Sequence, residues 1–150
     1  EYSEDLEILD PAGFDRPASL FGAATSLKNI NGNQLLAVPE SKFNGWMSHV
    51  TPLDSGATLT FSGSYSWIDK VYYSPFENED EMADDYGRLD LRASWTSADG
   101  RMIVSGFVNN VTDDIGVLQV LRHGEEEHFR QSAGTTLPRL MGLELTVSMN

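Results

Sequence analysis

The chain has 150 residues, no cysteine and a net charge of −13 from 23 acidic and 10 basic side chains. That length suits one ordinary domain, and the acidic balance argues against nucleic acid as a partner, because phosphate contacts need a basic surface. Absence of cysteine excludes a disulfide scaffold and a thiolate metal site. No run of 18 apolar residues occurs, which excludes a transmembrane helix but not strands that cross a membrane by alternation. The chain starts at Glu1 rather than Met, and we expect it to belong to a longer protein.

Residues 1–35 show little periodicity. Pro11, Gly13, Pro17, Gly22 and the turn-like Asn31-Gly32-Asn33 punctuate them, so they read as irregular loop with at most a short helix or isolated strand. Residues 42–53 form a strand of imperfect alternation: Trp46 and Val50 take one face, Met47 and His49 the other. Pro52 sits at its end, where a strand tolerates it. Asp54-Ser55-Gly56 then makes a tight turn.

The stretch A-T-L-T-F-S-G-S-Y-S-W from Ala57 to Trp67 alternates strictly. Leu59, Phe61, Tyr65 and Trp67 fall on one face, and the hydroxyls Thr58, Thr60, Ser62, Ser64 and Ser66 on the other. A soluble strand of this length normally carries Lys or Glu on its wet face. A strand crossing a bilayer needs about 9–11 such residues, with aromatics at the interface end. We expect this strand to run on to Ser74, before Pro75. The acidic stretch E-N-E-D-E-M-A-D-D (77–85) follows as a solvated loop.

The returning strand, Tyr86–Ala98, sets Leu89, Leu91, Ala93 and Trp95 against Arg88, Asp90, Arg92, Ser94 and Thr96. Trp95 stands at the opposite level from Tyr65 and Trp67, giving two aromatic levels with an aliphatic band between. Asp99-Gly100 reads as a two-residue hairpin turn. Arg101–Val111 follows, with Met102, Val104, Gly106 and Val108 on one face and Ile103 and Phe107 interrupting the polarity of the other. Residues 112–134 read mostly as long loop, with V-L-Q-V-L a possible strand. In the last strand, within 136–150, Met141, Leu143, Leu145 and Val147 oppose Gly142, Glu144, Thr146 and Ser148, with Leu140 as the exception. Short turns thus alternate with long loops, as in outer-membrane barrels with short periplasmic turns and long external loops.

Four segments together resemble the C-terminal part of a TonB-dependent outer-membrane receptor. They are Gly32-Asn33-Gln34-Leu35 with Ala37-Val38-Pro39, Tyr86-Gly87-Arg88-Leu89-Asp90-Leu91-Arg92, Phe107-Val108-Asn109-Asn110-Val111-Thr112-Asp113, and Pro138-Arg139-x-x-Gly142. The third resembles the family's F-V-x-N-L-T-D element, which places Asn110, Thr112 and Asp113 in the motif. The fourth resembles its P-R-x-x-G element, with Pro138, Arg139 and Gly142. Where the family usually ends in an aromatic, Met149 stands here, followed by Asn150.

The resemblance implies an all-β antiparallel meander of about five strands, an open fragment of a roughly 22-stranded transmembrane β-barrel. Residues 1–41 would then be an extracellular-loop-like segment and 42–150 the C-terminal barrel strands, with the plug domain outside this chain. Leu59, Phe61, Tyr65, Trp67, Leu89, Leu91, Trp95, Met141, Leu143, Leu145 and Val147 would face lipid. Thr58, Thr60, Ser62, Ser64, Arg88, Asp90, Arg92, Glu144 and Thr146 would face the lumen. The implied function is TonB-driven uptake of a scarce nutrient of the siderophore-iron, cobalamin or glycan class, in the outer membrane of a Gram-negative bacterium. The implied partners are outer-membrane lipid and lipopolysaccharide, the rest of the barrel and its plug, and TonB through the missing N-terminal part.

No cofactor or enzymatic activity is expected. The spacing His123-x-x-x-x-His128 is not the H-E-x-x-H of a zinc site. The run 77–85 lacks the ligand spacing and central glycine of an EF-hand loop, and no serine lies in a nucleophile elbow. The alternative reading is a soluble all-β sandwich binding module, which would bury the apolar faces against a second sheet.

Overall fold

Alternating side chains commit a strand to two unlike faces, and hydrogen-bond register then decides which faces become continuous. In the computed structural model, which describes residues 1–10, 27–123, 127–128 and 130–149, every strand pairing is antiparallel. The strands are β1 (Glu7–Leu9), β2 (Leu27–Asn29), β3 (Lys42–Pro52), β4 (Thr58–Ile68), β5 (Val71–Tyr72), β6 (Met82–Ala83), β7 (Tyr86–Thr96), β8 (Met102–Asn109), β9 (Val117–Arg122), β10 (Gln131–Thr135) and β11 (Leu140–Val147). Helical structure among the described residues is limited to short turns, such as the 3-10 turn at Glu79–Glu81.

The chain divides into two compact units. One comprises Glu1–Glu40, Asp69–Asp85 and Val117–Thr135. It holds three two-stranded pairs, β1 with β2, β5 with β6, and β9 with β10. Its buried apolar residues include Ile30, Val71 and Ala83. The other comprises Ser41–Ile68, Tyr86–Gly116 and Thr136–Asn150. It is one five-stranded sheet in the order β3-β4-β7-β8-β11, an up-and-down meander.

Register makes the faces of that sheet continuous. Leu59 pairs with Trp95, Phe61 with Ala93, Gly63 with Leu91 and Tyr65 with Leu89. Leu91 pairs in turn with Val108 and Trp95 with Val104. Val108 pairs with Met141, Gly106 with Leu143 and Val104 with Leu145. Directly paired residues share a face, so one side of all five strands is apolar, with His49 and Thr51 of β3 as exceptions. Across the other side run Ser62–Arg92–Phe107 and Ser64–Asp90.

β3, β4 and β7 each have 11 residues, about twice the usual strand length. Where Gly63 lacks a side chain, Leu91 fills the space: a Cβ on Gly63 would lie 3.0 Å from Leu91 Cδ2. Among the described residues of this unit, Ala57 is the one buried apolar side chain. The apolar face has no core behind it. Leu143 is 85% exposed, and Met141, Leu145, Val147, Phe61 and Leu91 are all exposed.

Several boundaries differ from the expected ones. β4 stops at Ile68, not Ser74; Val71–Tyr72 leaves the sheet to pair with Met82–Ala83. The charged Asp69-Lys70 pair marks the exit, and Asp69 turns back to accept the Lys70 amide at 2.8 Å. The acidic loop 77–85 contains the 3-10 turn and β6. Residues 112–134 hold the paired strands β9 and β10 rather than mostly loop. Part of 1–41 is likewise paired, through β1 and β2. The expected punctuation at Pro11, Gly13, Pro17 and Gly22, the acids Glu125 and Glu126, and Asn150 lie outside the described residues.

The two short turns share one end of the sheet. At Asp54-Ser55-Gly56 the Leu53 amide donates to Ala57 O at 2.8 Å and Gly56 takes φ +82, as a three-residue loop requires. The turn after β7 is longer than Asp99-Gly100. Ser97 N donates to Met102 O at 2.9 Å, closing a loop over 98–101. Asp99 Oδ1 accepts from Ser97 Oγ at 2.6 Å and from the Arg101 amide at 3.1 Å, and Gly100 sits at φ +70. These side-chain bonds favour the wider turn over the two-residue one. Gly100→Val should lower stability by about 1–2 kcal/mol, and Gly100→Asn by clearly less, because only the β-branched residue pays the full left-handed penalty. Denaturant titration of the full-length protein checks this; equal losses would show that the φ angle is not the constraint.

Candidate functional site

Two groups of chemically active side chains stand out in the sheet unit: a ladder across the polar face and a buried amide at the end opposite the short turns.

The ladder begins on β4, whose polar face carries only Thr58, Thr60, Ser62, Ser64 and Ser66 until Ile68. Ser62 pairs with Arg92, Ser64 with Asp90 and Ser66 with Arg88. Arg88 Nε donates to both oxygens of Asp90, at 2.8 and 3.0 Å. Arg92 reaches past β8 to pair with Glu144 on β11. Its guanidinium carbon lies 5.9 Å from the centroid of the intervening Phe107 ring. Phe107 in turn occupies the room left by its cross-strand partner Gly142, where a Cβ would come within 2.6 Å of Phe107 Cζ. An aromatic over a glycine restores packing that the glycine removes. Ser94 Oγ and Ser105 Oγ, on paired residues, are 2.8 Å apart. The two ion pairs are half-exposed, so each fixes geometry more than it adds stability.

The buried amide is Asn110, 1% exposed, with a left-handed φ of +53 that Asn tolerates better than most residues. Its backbone N–H donates to Asp90 Oδ1 at 2.7 Å. Its Nδ2 donates to Asp114 O at 2.7 Å and to Leu137 O at 3.2 Å. Its Oδ1 accepts from Thr112 Oγ1 and from the Asp114 amide, each at 3.2 Å. The side chain's hydrogen-bonding capacity is therefore largely used. One residue connects β7, the turn after β8 and the segment leading into β11. Asp113, also left-handed at φ +59, accepts the Arg139 amide at 2.8 Å and the Arg139 guanidinium at 3.0 Å. Those bonds from the Arg139 amide and guanidinium hold the Asp113 carboxyl below its ordinary value of 3.8.

The structure thus gathers five of the six motif residues. Asn110, Thr112, Asp113, Arg139 and the chain at Pro138 meet in one knot, whereas Gly142 belongs to the ladder under Phe107. The residues expected to face lipid all fall on the apolar face, and those expected to face the lumen all fall on the polar one. The ladder also takes in Phe107 and Ser105, and the knot takes in Asp114 and Leu137, none of which was expected as a site residue. For Phe107 the signal was present as an aromatic on the polar side of β8. For Leu137 there was none, because its carbonyl is what matters. Trp46, 75% exposed, shares the polar face with Ser64, its partner on β4.

In the other unit, His123 Nδ1 lies 3.0 Å from Glu127 Oε2 and His128 takes φ +57. Among the described residues no three His, Cys, Asp or Glu side chains are arranged to hold a metal. No helix among them is long and apolar enough to cross a membrane, a statement that does not bear on strands.

Two outcomes are expected. Asn110→Ala should cost about 2–4 kcal/mol, because it strands buried backbone partners and places Ala at positive φ. Asn110→Gly should lie between Ala and wild type, since it relieves the backbone alone. Unfolding free energies of the three proteins check this, and indistinguishable values would discount the amide. For Asp113 the folded pKa is depressed. Its contribution is complete above the unfolded value near 3.8, and it is lost as pH falls through the folded one. Asp113→Asn should therefore be less stable at neutral pH and lose less on acidification, as read from thermal melts between pH 7 and strong acid.

Compared with protein-family models, with curated proteins and with solved structures, the chain matches none.

Proposed function

We propose that this chain is a wall segment of a TonB-dependent outer-membrane receptor, which takes up a scarce nutrient of the siderophore-iron, cobalamin or glycan class across the outer membrane of a Gram-negative bacterium. The observation that carries the reading is the apolar face: four neighbouring strands bring it into register as one continuous surface, on which Phe61, Tyr65, Leu91, Met141, Leu143 and Leu145 are exposed and Leu59, Trp67, Leu89, Trp95 and Val108 half-buried, none of them fully covered. A sandwich would need that face buried against a second sheet. A barrel wall needs it bare, because lipid covers it.

Three further features support the reading. The 11-residue strands match the roughly 9–11 residues of a tilted crossing. The aromatics lie at two levels. Trp95 is level with Leu59 near the short turns, while Tyr65, Trp67 and Phe43 lie towards the other end, with the Phe43 and Tyr65 rings 6.3 Å apart. Leu59 and Tyr65 are six residues apart, roughly 20 Å along a strand at about 3.4 Å per residue, close to the apolar band of about 25 Å between aromatic girdles. Finally, short turns occupy one end of the sheet and long excursions the other.

Five sheet strands fall short of the roughly eight that a closed barrel requires. In this reading β3 and β11 each pair with strands of the remaining barrel, and the plug, the TonB contact and most of the substrate selectivity belong to that remainder. The polar face lines the lumen, and lipid with lipopolysaccharide meets the apolar one.

These 150 residues hold no cysteine, so once any cysteine elsewhere in the receptor is replaced, a single introduced thiol reports on one position. In the full-length receptor in outer membranes, Leu143→Cys should react with a lipid-dissolved maleimide and resist a charged one, and Thr60→Cys should do the reverse. Reaction of both with the charged reagent would overturn the reading. Phe61→Arg should also cost about 2–4 kcal/mol of unfolding free energy in vesicles if Phe61 lies near the bilayer midplane, with Ser62→Arg far milder. A near-neutral Phe61→Arg would remove Phe61 from that depth.

A further inference from the structure

The sheet unit contains residues up to Gly116 and resumes at Thr136, and the 19 residues Val117–Thr135 between them belong to the other unit. Such an excursion would ordinarily loosen the pairing of β8 with β11, since closing a long loop costs entropy that grows with its length. The ends of this one are fastened on the sheet side. Above the last ladder pair, Leu140 with Asn109, Arg139 binds Asp113 through its amide and its guanidinium. Next, Leu137 O accepts from the Asn110 side chain. Last, Gly116 N donates to Thr136 Oγ1 at 3.0 Å and Thr136 N donates to Gly116 O at 2.9 Å. Gly116 is buried beneath the Tyr86 ring, so that a Cβ there would fall 2.5 Å from Tyr86 Cγ. That atom is the root of the ring and has little freedom to give way. The fastening therefore ends where the unit ends, and Gly is needed at the end.

We infer that residues 110–116 and 136–139 form a clasp that terminates the sheet, which makes the 117–135 excursion dispensable to the fold of the sheet unit and exchangeable for another loop. The register of β11 is set by the clasp and by β8. Within the excursion β9 and β10 pair with each other and with no strand of the sheet, so its sequence is free of the demands of that register. The inference holds whether the sheet faces lipid or not.

The test uses the natural full-length protein in the medium in which it folds. Residues 117–135 are replaced by a flexible Gly/Ser linker of about four residues, ample for ends that already exchange hydrogen bonds. Unfolding is then compared with that of Asn110→Ala and Thr136→Val. The deletion should change the folded-to-unfolded ratio by less than about threefold. Asn110→Ala should lower it about tenfold or more, and Thr136→Val should lower it by several-fold. Thr136→Val, which removes one hydroxyl bond, keeps the comparison readable if Asn110→Ala fails to accumulate. Failure of the deletion protein to fold, or a loss as large as that of the clasp variants, would overturn the inference. So would clasp variants as stable as wild type.

Discussion

An apolar sheet face has to be kept from water, and every other feature of the sheet unit follows from how that is done. Strict alternation places large apolar side chains on one side of β4, β7 and β11, and register joins them into a single surface. In a two-layer protein that surface would be the inner half of a core. In this chain no second layer of described residues covers it, and the unit has almost no buried apolar residues. Its internal cohesion comes from ladder hydrogen bonds and cross-strand neighbours, the stabilising units of a sheet, and from the solvent that covers the apolar side. If that solvent is hydrocarbon, unpaired backbone groups become costly by several kcal/mol each, which favours long, unbroken strands and full hydrogen bonding within the wall.

The ends of the strands meet a different demand. There the chain must leave the ladder without abandoning backbone groups. At one end it uses short turns with glycines at positive φ. At the other it uses one amide side chain, Asn110, which does for the chain what several more ladder bonds would otherwise do. The ladder on the polar face is independent of this knot except at Asp90, whose Oδ1 serves both Arg88 and the Asn110 amide. Asp90 therefore couples the spacing of the polar face to the exit of β8.

Much of the sheet was legible in the sequence, because its signal is local. Hydroxyl residues alternate with apolar ones or Gly63 from Thr58 to Trp67 of β4, and the pattern nearly holds in β7 and β11, so each residue's face follows from its neighbours. The ends of β4 and β7 were less legible. Whether Val71–Tyr72 extends β4 depends on a pairing with Met82–Ala83 that no local pattern reports, and the width of the 97–102 turn depends on a Ser97–Asp99 bond. In the other unit β1, β2, β5 and β6 have only two or three residues each, too few to carry a period, and β9 and β10, V-L-Q-V-L-R and Q-S-A-G-T, do not alternate. Asn110 was visible as a letter in a motif, but its role was not, since two of its partners, Asp90 and Leu137, lie 20 and 27 residues away. Leu137 takes part through a carbonyl that every residue has.

The polar face has an electrical property that the overall acidity of the chain conceals. Across β4, β7, β8 and β11 it carries two cations, Arg88 and Arg92, and two anions, Asp90 and Glu144, each cation joined to one anion. Beside them β4 offers hydroxyls, which donate and accept with equal ease. On these four strands the charges cancel locally, with Lys42 at the end of β3 the further charge on this side, so the surface sets up little long-range field of either sign. Discrimination by charge would have to come from elsewhere, and the acidic stretch 77–85 lies in the other unit. In the reading proposed above, a surface of this kind is a neutral, hydrated corridor.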